Sequence, residues 1–209
     1  MSLRLWLVRH GESTWNAVGR VQGWADPPLS DRGQWQAQQV AHRLAGVPLS
    51  AIYCSTLQRA FQTAQIIAGV VGLTPGPDLR LREHGMGEAT GKTWGREAFL
   101  SEWPSLTELA NQGKPIREFI PGAEPELAFT HRIRAALAAV RKVHAEGDVA
   151  VVAHGGVFRT YLADLLQASM GSAEFSFGNA SLTQIEFTAE HFAKVRFVND
   201  CTHVLEKDV

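Results

Sequence analysis

Two histidines in this chain stand where chemistry could be done. His10 follows Arg9 and precedes Gly11, and His154 precedes Gly155 and Gly156. Each closes an apolar run, Leu3 to Val8 in the first case and Asp148 to Ala153 in the second. Short runs of this kind read as buried strands. In open α/β sheets ligands bind beyond the carboxyl ends of the strands, and glycine lets the backbone turn tightly and approach a ligand. Two parallel strands that each deliver an imidazole to one sheet edge bring the rings together. A cation such as Arg9 placed beside them is costly to bury unless something anionic accompanies it.

Two further segments offer partners for these histidines. Ser55-Thr56-Leu57-Gln58-Arg59-Ala60 follows a short strand and opens a helix. Helix N-termini attract anions through free N–H groups and the dipole, and Arg59 in the first turn can add a planar, two-pronged contact to phosphate oxygens. Taken alone, Arg59 is better read as a solvated helix-face arginine. The stretch Leu81-Arg82-Glu83-His84-Gly85-Met86-Gly87-Glu88-Ala89-Thr90-Gly91 carries three glycines after an extended piece. Such a loop can hold a carboxylate, and Glu83 serves as a general acid if burial or an anionic substrate raises its pKa. On an open surface loop it is an ordinary solvated acid.

The elements that must position these residues alternate. Ser30 reads as an N-cap, with an apolar helical pattern from Gln34 to Leu44. Ala51 to Cys54 is a short strand, and Thr56 to Val71 a helix with Leu57, Ala60, Phe61, Ala64, Ile67 and Ala68 on one face. Pro75 and Pro77 break the chain before an extended piece from Leu79 to Leu81. Residues 92–120 form a partly helical excursion over the site. Glu126 to His144 is a long helix, Gly156 to Ala168 another, and Leu182 to Phe187 with Ala193 to Val198 a hairpin. This alternation predicts an α/β fold of three layers, with a mostly parallel central sheet and helices on both faces.

Composition narrows the function. The 209 residues suit one domain, 1–209, with a substantial core. A formal net charge of -1 gives no footprint for nucleic acid or a membrane surface, so anion recognition must be local. No apolar run reaches the length of a membrane span, and the N-terminus enters its strand at once, without a signal-peptide pattern. Cys54 and Cys201 lie far apart and read as reduced thiols, which points to the cytoplasm. Neither a Walker-type loop nor a GxGxxG opens the first helix, and no HExxH or carboxylate cluster suggests a metal. No residue argues for an oligomeric state, and a homodimer through the terminal hairpin or an exposed edge stays open.

Together these residues resemble the histidine phosphatase superfamily, also called the phosphoglycerate mutase-like family. The likeness rests on Arg9-His10-Gly11-Glu12-Ser13-Thr14 to Asn16, on Cys54 to Ala64, on Glu83 with Gly87 and Gly91, and on His154-Gly155-Gly156. Pro121-Gly122-Ala123-Glu124 and Asn199 to His203 resemble secondary motifs, so the matches run in order from Leu5 to Leu205. The resemblance implies a phosphoglycerate mutase-like fold and a metal-independent phosphoric monoester hydrolase that needs no cofactor and acts on a small phosphomonoester. It implies that His10 is the nucleophile, that Arg9, Arg59 and His154 clamp the phosphoryl oxygens, and that Glu83 is the general acid and base. Asn16, Gln22 and Gly155 would also bind phosphate. Attack needs a neutral imidazole, so nearby cations should hold the His10 pKa down.

The resemblance also covers mutases, which must exclude water and return the phosphoryl group to a second hydroxyl. Those members carry a long insertion after the glutamate loop and a C-terminal tail. The modest excursion from Gly91 to Pro121 and the short tail after His203 favour a phosphatase. A cofactor-dependent phosphoglycerate mutase, or a binder of phosphorylated ligands without turnover, is the alternative. Two departures concern the substrate side: Gly122-Ala123-Glu124-Pro125 where the family often has Gly-Gly-Glu-Ser, and Ala89 where many phosphatases carry an aromatic. Trp24, Trp94, Phe99, Trp103 and Phe119 read first as packing residues and second as a pocket lining, and Lys92, Arg96 and Lys114 read by default as solvated cations, with contact to a second anionic group as the alternative.

Overall fold

A computed structural model of the chain describes residues 2–93, 95–112, 116–167, 175–188 and 192–205. Its elements are β1 (Ser2–Arg9), α1 (Thr14–Ala17), α2 (Asp31–Leu44), β2 (Leu49–Ser55), α3 (Gln58–Val71), β3 (Pro75–Asp78), α4 (Arg96–Glu102), α5 (Thr107–Asn111), α6 (Glu126–Val143), β4 (Gly147–Ala153), α7 (Gly155–Leu165), β5 (Leu182–Thr188) and β6 (Ala193–Asp200). The strands form one sheet in the order β3-β2-β4-β1-β5-β6. Pairings among β1 to β4 are parallel, and β5 and β6 add an antiparallel edge. The expected three-layer α/β architecture is the one observed.

Alternation along the strands builds the two outer layers. On β1, Leu3, Leu5 and Leu7 face one way with Val149, Val151 and Ala153 of β4, packing on Phe129, Ile133 and Leu137 of α6 and on Val157, Phe158 and Leu162 of α7. Val8, Ala150 and Val152 face the other way, onto Val40, Ala41 and Leu44 of α2 and Ala60, Ala64 and Ile67 of α3. A smaller cluster of Val21, Met86, Ala89, Phe99, Leu106 and Ile120 seats the excursion, which is partly helical as expected.

Several boundaries differ from the sequence reading. The edge strand is Pro75–Asp78, and Leu79–Leu81 is a 3-10 turn rather than an extended piece. β3 pairs only with β2, and an edge strand tolerates prolines because their missing N–H groups need no partner on the open side. α2 begins three residues before Gln34, at Asp31, where the Ser30 hydroxyl accepts from Gly33 N at 3.0 Å. α3 begins at Gln58 rather than Thr56 and ends at Val71 as expected, capped by Gly72, whose φ of 73° is the left-handed conformation glycine favours. α7 ends at Leu165, and Ala168 lies outside the described residues. Among the described residues no helix is long and apolar enough to cross a membrane, and both cysteines are free, with burial pushing the Cys54 thiol up to about 12.

Candidate active site

Strand register brings the two histidines together. Arg9 pairs with Ala153 across β1 and β4, and His10 N donates to Ala153 O at 3.0 Å. The next residues, His10 and His154, therefore leave the sheet side by side, with ring centroids 5.1 Å apart and planes at 62°. Both are buried. His10 Nδ1 lies 2.6 Å from Gly11 O. A carbonyl only accepts, so Nδ1 carries the proton and Nε2 keeps its lone pair. Burial, then Arg59 and Arg9, push the His10 pKa well below its ordinary value. Burial also dominates at His154, with Arg59, His10 and Arg9 adding to it. His154 Nε2 lies 2.8 Å from Ser55 Oγ at the end of β2.

The arginines are held by main-chain carbonyls. Arg9 Nη1 donates to Phe177 O. Arg59 donates from Nη1 to Ala25 O at 2.9 Å and from Nη2 to Gly23 O at 3.0 Å, and is 1 % exposed. Desolvation lowers its pKa to about 10, which leaves it charged at neutral pH. The N-terminus of α3 serves another anion than the one expected there: Gln58 N donates to Asp26 Oδ1 at 2.5 Å. Of this segment it is Arg59 that lines a cavity shared with His10.

Glu83 reaches the site across the end of α7. Its Oε1 accepts from His84 N at 2.8 Å and its Oε2 from Gly156 N at 3.1 Å. A Cβ on Gly156 would lie 2.2 Å from Glu83 Oε1, so glycine is what makes room for the carboxylate. The Glu83 carbonyl accepts from Trp24 Nε1 at 2.7 Å and Arg132 Nη2 at 2.8 Å. Arg132 also donates to both Glu124 oxygens, at 2.6 and 2.7 Å, and to the carbonyls of Arg80 and Arg82. Glu124 Oε2 in turn accepts from Gly85 N at 3.1 Å. The Pro121–Glu124 segment therefore fixes the Glu83 loop. Glu88 is exposed, whereas His84 is buried edge-on to Phe129 with its pKa lowered by burial.

These groups surround a cavity of about 360 Å³ whose walls include Arg9, His10, Asn16, Gln22, Arg59 and Glu83, with Gly155 beside them. Seven of the eight expected site residues thus share one wall; His154 stands outside the lining, against the His10 ring. Asn16 Oδ1 accepts from Ser13 N at 3.1 Å and is 3.3 Å from Asn179 Nδ2, an arrangement that leaves the Asn16 amide nitrogen as its donor. Gln22 Oε1 accepts from Ser13 Oγ at 2.8 Å. Arg20, Arg117 and Arg159 also line the cavity and were not singled out by sequence. Arg159 lies one helical turn beyond Gly155 on the same face, a spacing that could have found it; nothing local marks Arg117 in its irregular segment.

The aromatic residues and Lys92 follow the packing and surface readings rather than the pocket alternative. Trp24, Phe99, Trp103 and Phe119 are absent from the lining, and Phe99 and Trp103 pack in the third cluster. Lys92 pairs with Glu102 at 2.7 Å, outside the cavity. Trp94, Lys114 and the Arg96 side chain lie outside the described residues. Among the described residues no three His, Cys, Asp or Glu side chains gather where they could hold a metal ion.

Comparison with known proteins gives the family and agrees with the fold. The family model of the histidine phosphatase superfamily, branch 1, matches residues 5–200. A probable phosphoglycerate mutase from Yersinia pestis is 34 % identical over 191 residues, 88 % of this chain and 85 % of that protein. A mycobacterial glucosyl-3-phosphoglycerate phosphatase superposes with a TM-score of 0.82 at 27 % identity, over 95 % of this chain and 99 % of that one. A phosphoserine phosphatase variant from Entamoeba histolytica, in complex with phosphoserine, gives 0.82 at 26 % identity over 97 % and 100 %.

Proposed function

This chain belongs to the histidine phosphatase superfamily, branch 1, and from that premise we propose that it hydrolyses a small phosphomonoester through a phosphohistidine formed on His10. The observation that carries the reading is the tautomer of His10: Nδ1 is tied to Gly11 O, so the Nε2 lone pair is the one left for the cavity. Phosphoryl transfer asks chiefly for positioning and charge stabilisation. Arg9 and Arg59 supply the charge at the cavity wall, the Asn16 amide and Gln22 add polar contacts, and His154 supports the His10 ring.

In the first half-reaction Nε2 attacks phosphorus in line, the P–O ester bond breaks, and protonated Glu83 gives its proton to the leaving alcohol. In the second, water attacks the phosphohistidine, Glu83 takes its proton, the P–N bond breaks and phosphate leaves. Residues 1–209 act as one domain in this reading, with Arg9, His10, Arg59, Glu83 and His154 as the catalytic set. Hydrolysis rather than mutase chemistry is favoured because exposed Gly19, Arg20 and Ser176 form part of the cavity wall, which lets water reach His10.

The test is phosphate release from a simple phosphomonoester with chelator present, in wild type, His10→Ala and Glu83→Gln. Expected are chelator-resistant release, loss in His10→Ala, and slowed turnover in Glu83→Gln. Release that survives His10→Ala refutes the mechanism. Phosphoryl exchange between phosphoglycerates without release would assign the mutase reaction that the name of the Yersinia relative carries.

A further inference from the structure

Arg9 is tied to the fold at one point. Among the described residues the single hydrogen-bond acceptor of its guanidinium is Phe177 O, and its buried Nε has no partner. Arg59 is held by two carbonyls instead. Whatever orients the Phe177 carbonyl therefore orients Arg9. That carbonyl shares a peptide unit with the N–H of Gly178, and Gly178 N donates to Asn199 Oδ1 at 2.6 Å. The two bonds leave opposite sides of one rigid amide plane. A chain thus runs from the Asn199 side chain, through the peptide, to the Arg9 guanidinium. An N–H that is bonded polarises its own carbonyl and strengthens the bond that carbonyl accepts.

The surroundings of Asn199 suit that contact. It lies near the end of β6 with a φ of 57°, a left-handed conformation that asparagine tolerates better than most residues. Asn199 N donates to Thr183 Oγ1 of β5 at 3.0 Å, which seats it on the sheet. Opposite it, a Cβ on Gly178 would lie 2.8 Å from Cys201 Sγ and 3.7 Å from Asn199 Oδ1, so the bare backbone there admits the approach. The same C-terminal turn adds a second tie. His203 Nε2 donates to Ala180 O at 2.9 Å, and Ala180 N donates to His10 O at 3.0 Å. Neither Asn199 nor His203 belongs to the cavity wall.

We infer that Asn199 is a positioning residue for Arg9: through the Phe177–Gly178 peptide it fixes the guanidinium that holds the phosphoryl group beside His10. This rests on the phosphomonoester reading above and adds to it a residue of β6 that does not touch the substrate. The brace is a neutral amide, so Arg9 keeps its full charge for the anion.

The test reads the Arg9 guanidinium directly. Proton–nitrogen NMR spectra of the ligand-free protein should show a sharp, slowly exchanging Arg9 Nε–H signal, assigned by its loss in Arg9→Lys. Asn199→Gly keeps the left-handed backbone and removes the acceptor. It should broaden or shift that signal and weaken the binding of inorganic phosphate, titrated in the same spectra, by about three- to tenfold, the scale of one hydrogen bond. Asn199→Asp keeps an oxygen acceptor and should restore the signal. Arg196→Gln breaks the exposed pair with Glu186 on the same hairpin and should leave both readouts as in wild type. An Arg9 signal and a phosphate affinity unchanged in Asn199→Gly overturn the proposal. So does an equal effect of Arg196→Gln, which would mean a general loosening of β6. If Asn199→Gly does not fold, the side-chain amide signals of Asn199 in wild type decide: they should move as phosphate binds at Arg9, and signals that stay still overturn the brace. If Asn199 governs the Arg9 signal and the phosphate affinity while wild type hydrolyses no phosphomonoester, the hydrolase reading fails and the brace stands.

Discussion

Replacing Gly156 by alanine places a methyl group where the carboxylate of Glu83, the proposed general acid, now rests. Its Cβ would lie 2.2 Å from Glu83 Oε1, 3.0 Å from Cδ and 3.2 Å from Oε2. Non-bonded heavy atoms sit at about 3.5 Å, so the carboxylate must retreat by about 1 Å. It is the end of a side chain, so it moves more cheaply than the backbone of α7, and it loses the Gly156 N–H bond as it goes. General acid–base catalysis is worth about 10²- to 10⁴-fold, and a misplacement of about 1 Å can cost about 10²-fold. A fall of about 10² in kcat/KM is therefore expected on an alkyl phosphate, whose leaving oxygen needs a proton. On p-nitrophenyl phosphate the leaving group is stable as an anion. Because kcat/KM reports only the steps up to phosphohistidine formation, the loss there should be much smaller. Glu83→Gln should show the same split between the two esters. Retention of kcat/KM within about threefold on the alkyl ester, in a variant that melts like wild type, would refute the placement of Glu83. Equal losses on both esters would mean that the methyl blocks the phosphoryl group rather than displacing the acid.

Stability should fall on the acid side because His10 and His154 are held neutral in the folded chain, by burial first and then by neighbouring cations. The unfolded chain takes up these protons near pH 6.5, so below that pH, down to the lower folded values, it binds more protons than the native state. Each histidine then costs up to about 1.4 kcal/mol per pH unit as pH drops. Urea unfolding between pH 7.5 and 5 should show a shallower slope in His154→Gln, and an identical slope refutes the assignment. Arg132→Met removes five hydrogen bonds and leaves Glu124, at 10 % side-chain exposure, without its cationic partner and with only the Gly85 N–H bond. It should cost about 2–4 kcal/mol by urea unfolding, and a loss below about 1 kcal/mol would mean that the Glu83 loop is held by other contacts.

The parts of this site that the sequence made legible are those fixed by strand direction. An apolar strand ending in His-Gly locates its histidine at the sheet edge whatever the loops do, and parallel pairing of β1 with β4 then sets His10 beside His154. Arg59 was legible because its helix turn was. Loop partners were not, since the contacts of Trp24 and Arg132 with the Glu83 carbonyl span 59 and 49 residues and depend on how separate segments fold back. The prolines of β3 misled because a breaker inside a sheet is harmless on its outer edge. The aromatic residues were legible as packing groups, because Phe99 and Trp103 do seat the excursion.

The partners of the arginines separate binding from scaffolding. Arg132 is neutralised by a half-buried carboxylate, Glu124, so its charge is spent within the fold. Arg9 and Arg59 are held instead by carbonyl oxygens, of Phe177, Gly23 and Ala25. A carbonyl dipole offsets part of the desolvation of a guanidinium without cancelling its charge. Arg9 and Arg59 can therefore be buried, rigid and still positive, with Nε of each left without a partner among the described residues. Carboxylates in those places would stabilise the empty protein further, but they would repel a phosphate and draw the His10 proton affinity upward. Burial lowers the His10 pKa first, and the arginines that add to that lowering are the same ones that keep the wall positive, because they pair with main-chain oxygen.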